Sequence, residues 1–470
     1  MHVLSSGNLW CHGVGIIEIL AKIGQVIPSA PRPARKVSLG KRLIFTILVA
    51  IAYIILASTT LYGIQTAGRG ALAPVISIIL AMQSGTFAQL GIGPVVTAGL
   101  ILQILVGAKI LNMDLNDPEG RKRFTLASKG LGIILAIVEA TGFVVSGVYW
   151  YIPQAVPLWI KIVVAIQLIW GGILIIMLDE AVQKGWGIGS GISLFILIGV
   201  AWRFFSELLT PHPIESGGEI YGLIPYIVTM VKDGTLNFWH IFIERLAMGY
   251  PTLVGLITSL ILIIILSYLN AAKINIPIVI SRYGGMKTKV PLQLLYVTNI
   301  PVLLTGILIS DIILFLNLLQ NYIGANTVNA IRTYLTPPTL YHFIYSPWTS
   351  ITYSIVFLAL CVLFGLLWVE IAGLNPEAQA ENLINAGLDI PGMRRNPRVL
   401  ASYLSRYIYP LTIFSSIVVA SISLTGDIFG SYGTGTGILL AVGILFNYYQ
   451  MLLYERTIEM YPMLKRFVGE

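Results

Sequence analysis

Charged residues are scarce in this sequence. Asp, Glu, Lys and Arg make up 11% of the 470 residues, whereas 56% are hydrophobic. A typical soluble domain carries about 25% charged residues, which keep its surface hydrated. The scarcity of charge therefore excludes a water-soluble globule and indicates a protein that crosses a membrane several times.

Cysteine and histidine are also rare. There are two cysteines, and Cys361 lies inside an apolar run, so neither a disulfide framework nor a Cys-rich metal site is expected. The glycine-rich stretch 185–193 lacks the Lys-Ser/Thr ending of a phosphate loop. The histidines lie in the N-terminal segment or in predicted external regions, without a carboxylate or cysteine partner at metal-ligand spacing: His2, His12, His212, His240 and His342. The sequence predicts no enzyme, no metal site and no cofactor.

Ten apolar runs are long enough to cross a bilayer as helices, which takes roughly 20 residues. The runs begin near Arg42, Gly85, Leu131, Pro157, Trp186, Thr252, Leu292, Ser350, Tyr407 and Gly437. Strictly alternating polarity, which is typical of a membrane barrel, is missing. We therefore expect an all-α polytopic membrane protein with ten transmembrane helices. Two five-helix halves, 41–205 and 249–454, flank a polar external segment, 206–248, and this topology suggests an inverted repeat.

The basic residues predict the orientation, because Lys and Arg in short loops are retained in the cytoplasm. With the N-terminus inside, the cytoplasmic segments hold 23 of the 29 Lys and Arg residues. Both termini, 1–40 and 455–470, are therefore expected in the cytoplasm. Two cytoplasmic loops, 271–290 and 373–406, are the most charged; they either dock an anionic partner or only enforce the topology.

Two shorter apolar segments need separate explanations. Residues 16–26 have an amphipathic pattern, which indicates a helix lying on the cytoplasmic membrane surface or packed on the body of the protein. Residues 71–82 are too few to cross the bilayer. We interpret them as a half-inserted helix on the external side, with a plain surface loop as the alternative.

The second predicted span contains LGIGPVVTAG, residues 90–99. A proline there removes a backbone donor, so a kink is expected, while the glycines let another backbone approach. Branched apolar residues recur at comparable depth in other spans that contain Gly or Pro: Ile92, Val96, Ile192, Ile196, Leu303 and Leu440. A narrow apolar constriction excludes water and ions by dewetting. From the spacing alone, ordinary helix packing is the better explanation of these residues.

Ion-coupled transport is an alternative function, since inverted repeats and broken helices are typical of secondary transporters. Such proteins need ionisable residues near the midplane of the membrane. Here Glu139 is the only acid well inside the first half, and Asp311 lies toward the external end of its span. A single buried acid indicates a local polar partner more readily than an ion relay.

Four segments together resemble the SecY family of Sec protein-conducting channels, in its archaeal and eukaryotic branch. They are LGIGPVVTAGLILQ (90–103), GIGSGISLFI (187–196), YVTNIPV (296–302) and GTGTGILL (433–440). Their order and spacing across the ten predicted spans make the resemblance specific, and it runs from about residue 15 to the end.

The resemblance implies an hourglass channel with a pore ring of Ile92, Val96, Ile192, Ile196, Leu303 and Leu440. It implies that 71–82 holds the plug sealing the external funnel. It also implies a lateral gate between the second and third and the seventh and eighth spans, with a polar cluster of Thr97, Glu139 and Asn299. Arg282 and Arg394 would then be the basic positions that dock a ribosome.

The function that follows from the resemblance is a passive channel in the cell membrane. Unfolded secretory polypeptides would pass outward, and transmembrane segments would move sideways into lipid. Expected partners are SecE/gamma-type and small beta-type membrane subunits, a ribosome or other cytoplasmic motor, signal sequences and nascent chains, and membrane lipid.

Overall fold

The computed structural model describes residues 8–35, 37–65, 84–107, 110–111, 117–147, 149–150, 155–213, 219–235, 237–247, 249–280, 286–385, 388–389 and 396–460. These residues are mostly α-helical, as predicted. The predicted plug, 71–82, and the two predicted docking arginines, Arg282 and Arg394, lie outside the described residues.

The chain divides into two compact units. The first comprises Met1–Gly199, Ser310–Val328 and Asn447–Glu470, and the second comprises Val200–Ile309 and Asn329–Phe446. The predicted division into residues 41–205 and 249–454 stays a prediction.

The first unit contains most of the N-terminal helices. Its elements are α1 (Asn8–Val26), α2 (Leu39–Ser58), α3 (Gly93–Gly107), α4 (Pro118–Ser146), α5 (Leu158–Ala181), a π-helical turn (Val182–Trp186), the start of α6 (Gly191–Leu209) and parts of three later helices, Ile300–Ile323, Ala325–Leu335 and Gly435–Met460. Local sequence fixes the ends of α4: the Asp117 side chain accepts from the Gly120 N–H at 3.3 Å, and Gly147 ends the helix with φ 72°.

The second unit contains the remaining elements. They are α7 (Leu223–Asp233), a π-helical turn His240–Glu244 with the short α-helical turn Arg245–Ala247, α8 (Leu253–Ala271), β1 (Lys273–Ile280), β2 (Met286–Gln293), α9 (Ile300–Ile323), α10 (Ala325–Leu335), α11 (Leu340–Tyr345), α12 (Pro347–Ile371), α13 (Pro376–Asn385), β3 (Leu388–Asp389), α14 (Pro397–Ile428) and α15 (Gly435–Met460). Asn396 begins α14 by accepting from the Arg398 N–H at 3.0 Å.

Eight helices in the described part of the chain are long and apolar enough to cross a membrane. Two shorter apolar helices, Gly93–Gly107 and Ile300–Leu316, correspond to the second and seventh predicted spans. The predicted class, an all-α polytopic membrane protein, is confirmed. The predicted starts of the two shorter spans, near Gly85 and Leu292, were too early.

The kink predicted inside the second span is wrong. The backbone from Ser84 to Ile92 forms turns, and the helix begins only at Gly93. Pro94 therefore lies in the first helical turn, where its missing N–H leaves no hydrogen bond unmade. The turn segment packs on α5, because a Cβ at Gly171 would lie 1.9 Å from the Phe87 carbonyl oxygen.

Helix α1 packs on the body of the first unit. A Cβ at Gly24 would lie 2.1 Å from the Leu126 carbonyl oxygen, and one at Gly130 would lie 2.0 Å from that of Leu20. Only paired glycines allow α1 and α4 to approach so closely. The ammonium of Lys129 then donates to the Ile27 carbonyl at 3.1 Å, just after α1 ends. Of the two interpretations of this helix, the structure therefore favours packing on the protein.

The loop 271–290 folds as a β-hairpin. Strand β1 pairs antiparallel with β2 from Lys273 opposite Gln293 to Ile280 opposite Met286. Strand β3 adds to the other edge of β1, with Val279 opposite Asp389 and Ile280 opposite Leu388. One small sheet thus joins the two charged loops.

Candidate functional site

Ile92 and Val96 lie at the start of α3. The Ile92 carbonyl oxygen accepts the first helical bonds, from the Val95 N–H at 3.2 Å and the Val96 N–H at 3.1 Å. Gly91 has φ 54°, so the chain turns sharply immediately before Ile92. Ile92 is buried and Val96 half-buried. The turn therefore places Ile92 immediately before the first residue of the helix, and Val96 follows one helical turn later.

Ile192 and Ile196 lie on the first two turns of α6. The carboxylate of buried Asp179 accepts from the Ile192 N–H at 3.0 Å, which stabilises the start of this helix. A Cβ at Gly191 would lie 2.6 Å from the Asp179 Cα, so α5 and the start of α6 are in close contact. Ile196 is buried, and Ile192 is half-buried.

Leu303 and Leu440 belong to the second unit. The Leu303 N–H donates to the Asn299 carbonyl at 3.1 Å at the beginning of α9. The Asn299 side chain donates from Nδ2 to the Leu440 carbonyl at 3.4 Å. A Cβ at Gly443 would lie 2.0 Å from that Nδ2, so only glycine leaves room for the amide. A residue predicted for the gate is thereby joined to one predicted for the ring.

None of the six predicted ring residues is among the exposed apolar side chains. Ile92, Ile196 and Leu440 are buried, while Val96, Ile192 and Leu303 are half-buried. Many other apolar residues on the same helices are exposed, as expected for lipid-facing positions. The six residues are therefore at least partly shielded by the protein, and their grouping into one ring stays a prediction.

Thr97 and Glu139 share a third polar neighbour, Asp311. The Thr97 hydroxyl donates to Oδ2 of Asp311 at 3.4 Å, and Glu139 lies within electrostatic reach of the same carboxyl group. All three residues belong to the first unit. The signal was present in the sequence, because an acid inside an apolar helix needs a polar partner. The cluster implied by the resemblance consists of Thr97, Glu139 and Asn299 and does not include Asp311.

Backbone hydrogen bonds join the described residues on either side of the predicted plug segment. The Leu61 N–H donates to the Gly85 carbonyl at 2.9 Å, and the Phe87 N–H donates to the Thr59 carbonyl at 3.1 Å. The chain thus leaves α2 and returns to α3 at one place. This arrangement fits a segment inserted between the first two spans.

The small sheet places the flanks of the predicted docking positions side by side. Arg282 belongs to the five residues between β1 and β2, and Arg394 follows β3 by five residues. Pairing of Ile280 with Leu388 brings these two parts of the chain together. The sequence alone predicts two separate loops.

His240 has carboxylate neighbours that the sequence analysis missed. Its Nδ1 lies 3.0 Å from Glu244 and its Nε2 lies 3.0 Å from Glu219, so the expectation of no carboxylate at suitable spacing was wrong. Burial works against protonation of His240, but hydrogen bonds to Glu244 and Glu219 outweigh it and raise its pKa. Within the described residues no group of three His, Cys, Asp or Glu side chains is arranged to hold a metal. We interpret this cluster as an ion-pair network.

Arg245 lies beside this cluster and is fully buried. Its Nη2 donates to the Ile220 carbonyl at 2.6 Å, and the guanidinium lies 3.8 Å from the centre of the Tyr226 ring. Burial lowers its pKa, against the pull of Glu219, whose carboxylate lies 3.4 Å from Nε. Stacking and carbonyl contacts make such a buried cation tolerable. These contacts join Arg245 to Glu219, Ile220 and Tyr226 within the segment between the fifth and sixth predicted spans.

Comparison with known proteins relates the whole chain to one family. The family model described as SecY matches residues 86–449. The protein translocase subunit SecY of Aeropyrum pernix is 46% identical over 468 residues, which are 97% of this chain and 99% of that protein.

Two solved structures are similar in fold. One is described as showing that the plug domain of the SecY protein stabilises the closed state of the translocation channel and maintains a membrane seal. It matches with a TM-score of 0.74 and 33% identity over 94% of this chain and 98% of that one. The other, Sec61 in the canine ribosome–channel complex from the endoplasmic reticulum, has a TM-score of 0.72, 33% identity and the same coverage. These matches concern the whole chain and not a single segment.

Proposed function

Because the chain belongs to the SecY family, we propose that it is the channel-forming subunit of a Sec protein translocase. It passes unfolded secretory polypeptides across the membrane and releases transmembrane segments laterally into lipid. The observation that carries this conclusion is 46% identity to a protein translocase subunit over nearly the full length of both chains. The comparisons give no support to the alternative of a secondary transporter.

The proposed constriction consists of Ile92, Val96, Ile192, Ile196, Leu303 and Leu440. All six are buried or half-buried, which supports a position inside the protein and not at its lipid surface. An aliphatic ring suits a channel that must accept any sequence, because apolar side chains make no directional bonds to the passing chain. The same side chains exclude ions by dewetting when they close.

The proposed lateral gate uses Thr97, Glu139 and Asn299, to which we add Asp311. The hydrogen bond from Thr97 to Asp311 supports this addition, since it links the second and seventh spans inside the first unit. Lateral release follows from partition between water and lipid. A sufficiently apolar segment gains roughly 25 cal/mol for each Å² of apolar surface that leaves water.

The protein is a multi-pass membrane protein, and its partners include the ribosome and other translocon subunits. More specifically, we propose SecE/gamma-type and small beta-type membrane subunits, both termini in the cytoplasm, and location in the cell membrane. Arg282 and Arg394 are the proposed ribosome contacts, supported by the sheet that joins their loops. Residues 71–82 are the proposed plug, supported by the bonds that close its flanks. The proposed role is that of a passive channel and not of an enzyme.

Reconstitution tests the proposal directly. The chain is placed in liposomes with its small membrane subunits, and ribosomes translating a secretory preprotein are added. Protease-protected preprotein inside the vesicles is the expected result. Uptake of small solutes without protected preprotein would overturn the proposal and favour a transporter.

A further inference from the structure

Helix α7 carries an uncovered apolar face in the segment between the fifth and sixth spans. Ile224, Val228 and Val231 are 44%, 46% and 58% exposed and recur at the spacing of one helical face. Two aromatic side chains follow closely, Phe238 at 62% and Trp239 at 60% exposed. An apolar surface of this kind needs a partner that removes it from water.

The opposite face of α7 is fixed to the ends of two membrane spans. Leu223 and Tyr226 are buried in a cluster that includes residues of α6 and α8. Those residues are Phe204, Leu208, Leu253 and Leu256. The packing holds α7 against the spans, where α6 ends and α8 begins.

The first residue before α7 touches the end of α6. The Gly222 N–H donates to the Thr210 carbonyl at 2.9 Å, and a Cβ at Gly222 would lie 2.6 Å from the Thr210 nitrogen. Thr210 directly follows the last residue of α6, so α7 begins level with the end of that span. The position of α7 along the membrane normal is therefore set by backbone contact.

Exposed apolar residues also lie on the two spans against which α7 packs. On α6 the exposed apolar residues include Phe205 and Leu209, and on α8 they include Ile257, Leu260 and Ile261. In spans of a multi-pass membrane protein such residues contact acyl chains. A second aromatic pair, Tyr345 and Trp348, is exposed where α11 is followed by the next span on the same side. Exposed Tyr and Trp at the ends of spans are typical of the interfacial zone of a bilayer.

We propose that α7, with Phe238 and Trp239, lies in the headgroup–acyl boundary of the leaflet on the side of the membrane opposite the basic loops. The occupant of its apolar face is phospholipid. Only one exposed cation, Lys232, belongs to α7, and Asp233 follows it directly. Attachment therefore depends on apolar area and aromatic side chains, and anionic lipid is not required. The inference rests on the membrane spans alone and is independent of protein transport.

Fluorescence quenching tests this placement. Cysteine is introduced as V228C in a C11S background, labelled with bimane, and the full chain is reconstituted in phosphatidylcholine nanodiscs. The matched control is D233C, also exposed and about half a turn around the same helix from Ile224. Lipid brominated high on its acyl chains should quench the Val228 position several-fold more than the Asp233 position. Aqueous iodide should quench them in the opposite order.

Two results would overturn the proposal. Equal access of iodide to both positions would mean that the face lies in water. Protection of V228C from iodide without quenching by brominated lipid would mean that protein, either a partner subunit or a second copy, covers the face. Repeating the measurement at V231C distinguishes a local labelling effect from the behaviour of the whole face. Adding anionic lipid should not change the ratio of V228C to D233C quenching, either by brominated lipid or by iodide. A strong dependence on anionic lipid would contradict attachment through apolar area.

Discussion

The side-chain amide of Asn299 donates to the backbone carbonyl oxygen of Leu440, with 3.4 Å between Nδ2 and the oxygen. Both residues are buried, and Gly443, one turn further along α15, leaves just enough space for the amide. A proposed gate residue thus fixes the backbone of a proposed ring residue. A substitution at Asn299 is therefore expected to alter the backbone position of Leu440 in the proposed constriction, because it removes this hydrogen bond.

Gly443→Ala should break the hydrogen bond between Asn299 and Leu440 although neither of these two residues is substituted. The new Cβ would lie 2.0 Å from Nδ2 of Asn299, so the amide must move and its bond to Leu440 is lost. We expect a loss of about 1–3 kcal/mol of stability from overpacking and an unsatisfied buried group. Thermal unfolding in nanodiscs measures it. Gly40→Ala is the control, because nothing lies within 4 Å of a Cβ there; equal melting temperatures for the two variants would contradict the prediction.

The sequence predicts the class and the spans because long apolar runs are a local property. The second span shows where local information ends. Residues 84–92 are apolar enough to read as helix, but the close contact of Phe87 with Gly171 on α5 stabilises turns instead. A composition-based prediction has no access to this contact. The same limit applies to Asp311, whose partner Thr97 is distant in sequence and adjacent only after folding.

The hairpin at 271–290 was missed for a different reason. Ile274, Ile276, Ile278 and Ile280 alternate with other residues, which is the period of a strand. The signal was therefore present in the sequence. It was overlooked because membrane topology assigned the segment to a charged loop, and β3, which covers the edge of the hairpin, comes from more than a hundred residues later. The positions of Arg282 and Arg394 were predicted from resemblance, and the structure does not describe them.

Thr97→Val should weaken the proposed gate. It removes the hydroxyl that donates to Asp311 and keeps the size of the side chain. A bond of this kind contributes roughly 0.5–1.5 kcal/mol, so opening should become about two- to tenfold easier. Transport of a preprotein with a weakened signal sequence measures the effect. Thr141→Val is the matched control, since that hydroxyl donates only within its own helix, to Ile137. Equal transport by both variants would exclude Thr97 from the gate.

Glycine at Ile92, Val96, Ile192 and Ile196 together should make the resting channel leak ions. The substitution removes four aliphatic side chains from the proposed constriction, so the passage stays wet. Single-channel recording in planar bilayers measures the conductance. A control with glycine at exposed Ile101, Ile104, Ile257 and Ile261 also adds four glycines, each at a cost of about 0.5–1 kcal/mol in helix stability, without opening a passage. An unchanged conductance in the first variant would refute the ring assignment.

Charge reversal at Arg282 and Arg394 should weaken ribosome binding. Each change replaces attraction to an anionic surface by repulsion, and strands β1 and β3, which precede the two positions in the chain, pair in one sheet. Co-sedimentation with ribosomes should fall several-fold, and the loss should be larger at low ionic strength, where screening is weak. Reversal at exposed Arg123 serves as the control, because it lies on another predicted cytoplasmic loop and pairs with Glu119 at 3.0 Å. Equal loss in both variants would leave overall charge, and not these two positions, as the cause.

The network around His240 should make the external segment less stable as the pH rises. Glu244 and Glu219 raise the pKa of His240 above its ordinary 6.5, so their stabilisation is fully present below pH 6.5 and is lost as the pH rises through the folded-state pKa. Hydrogen exchange of residues 240–247, corrected for the intrinsic pH dependence of exchange, should show protection that falls as the pH rises from 6.5 through the folded-state pKa of His240. Buried Arg245 keeps its charge throughout, so it should not contribute to the change. His240→Gln removes the titrating group and should give flat protection, whereas a variant that still shows the full pH dependence would place its origin elsewhere.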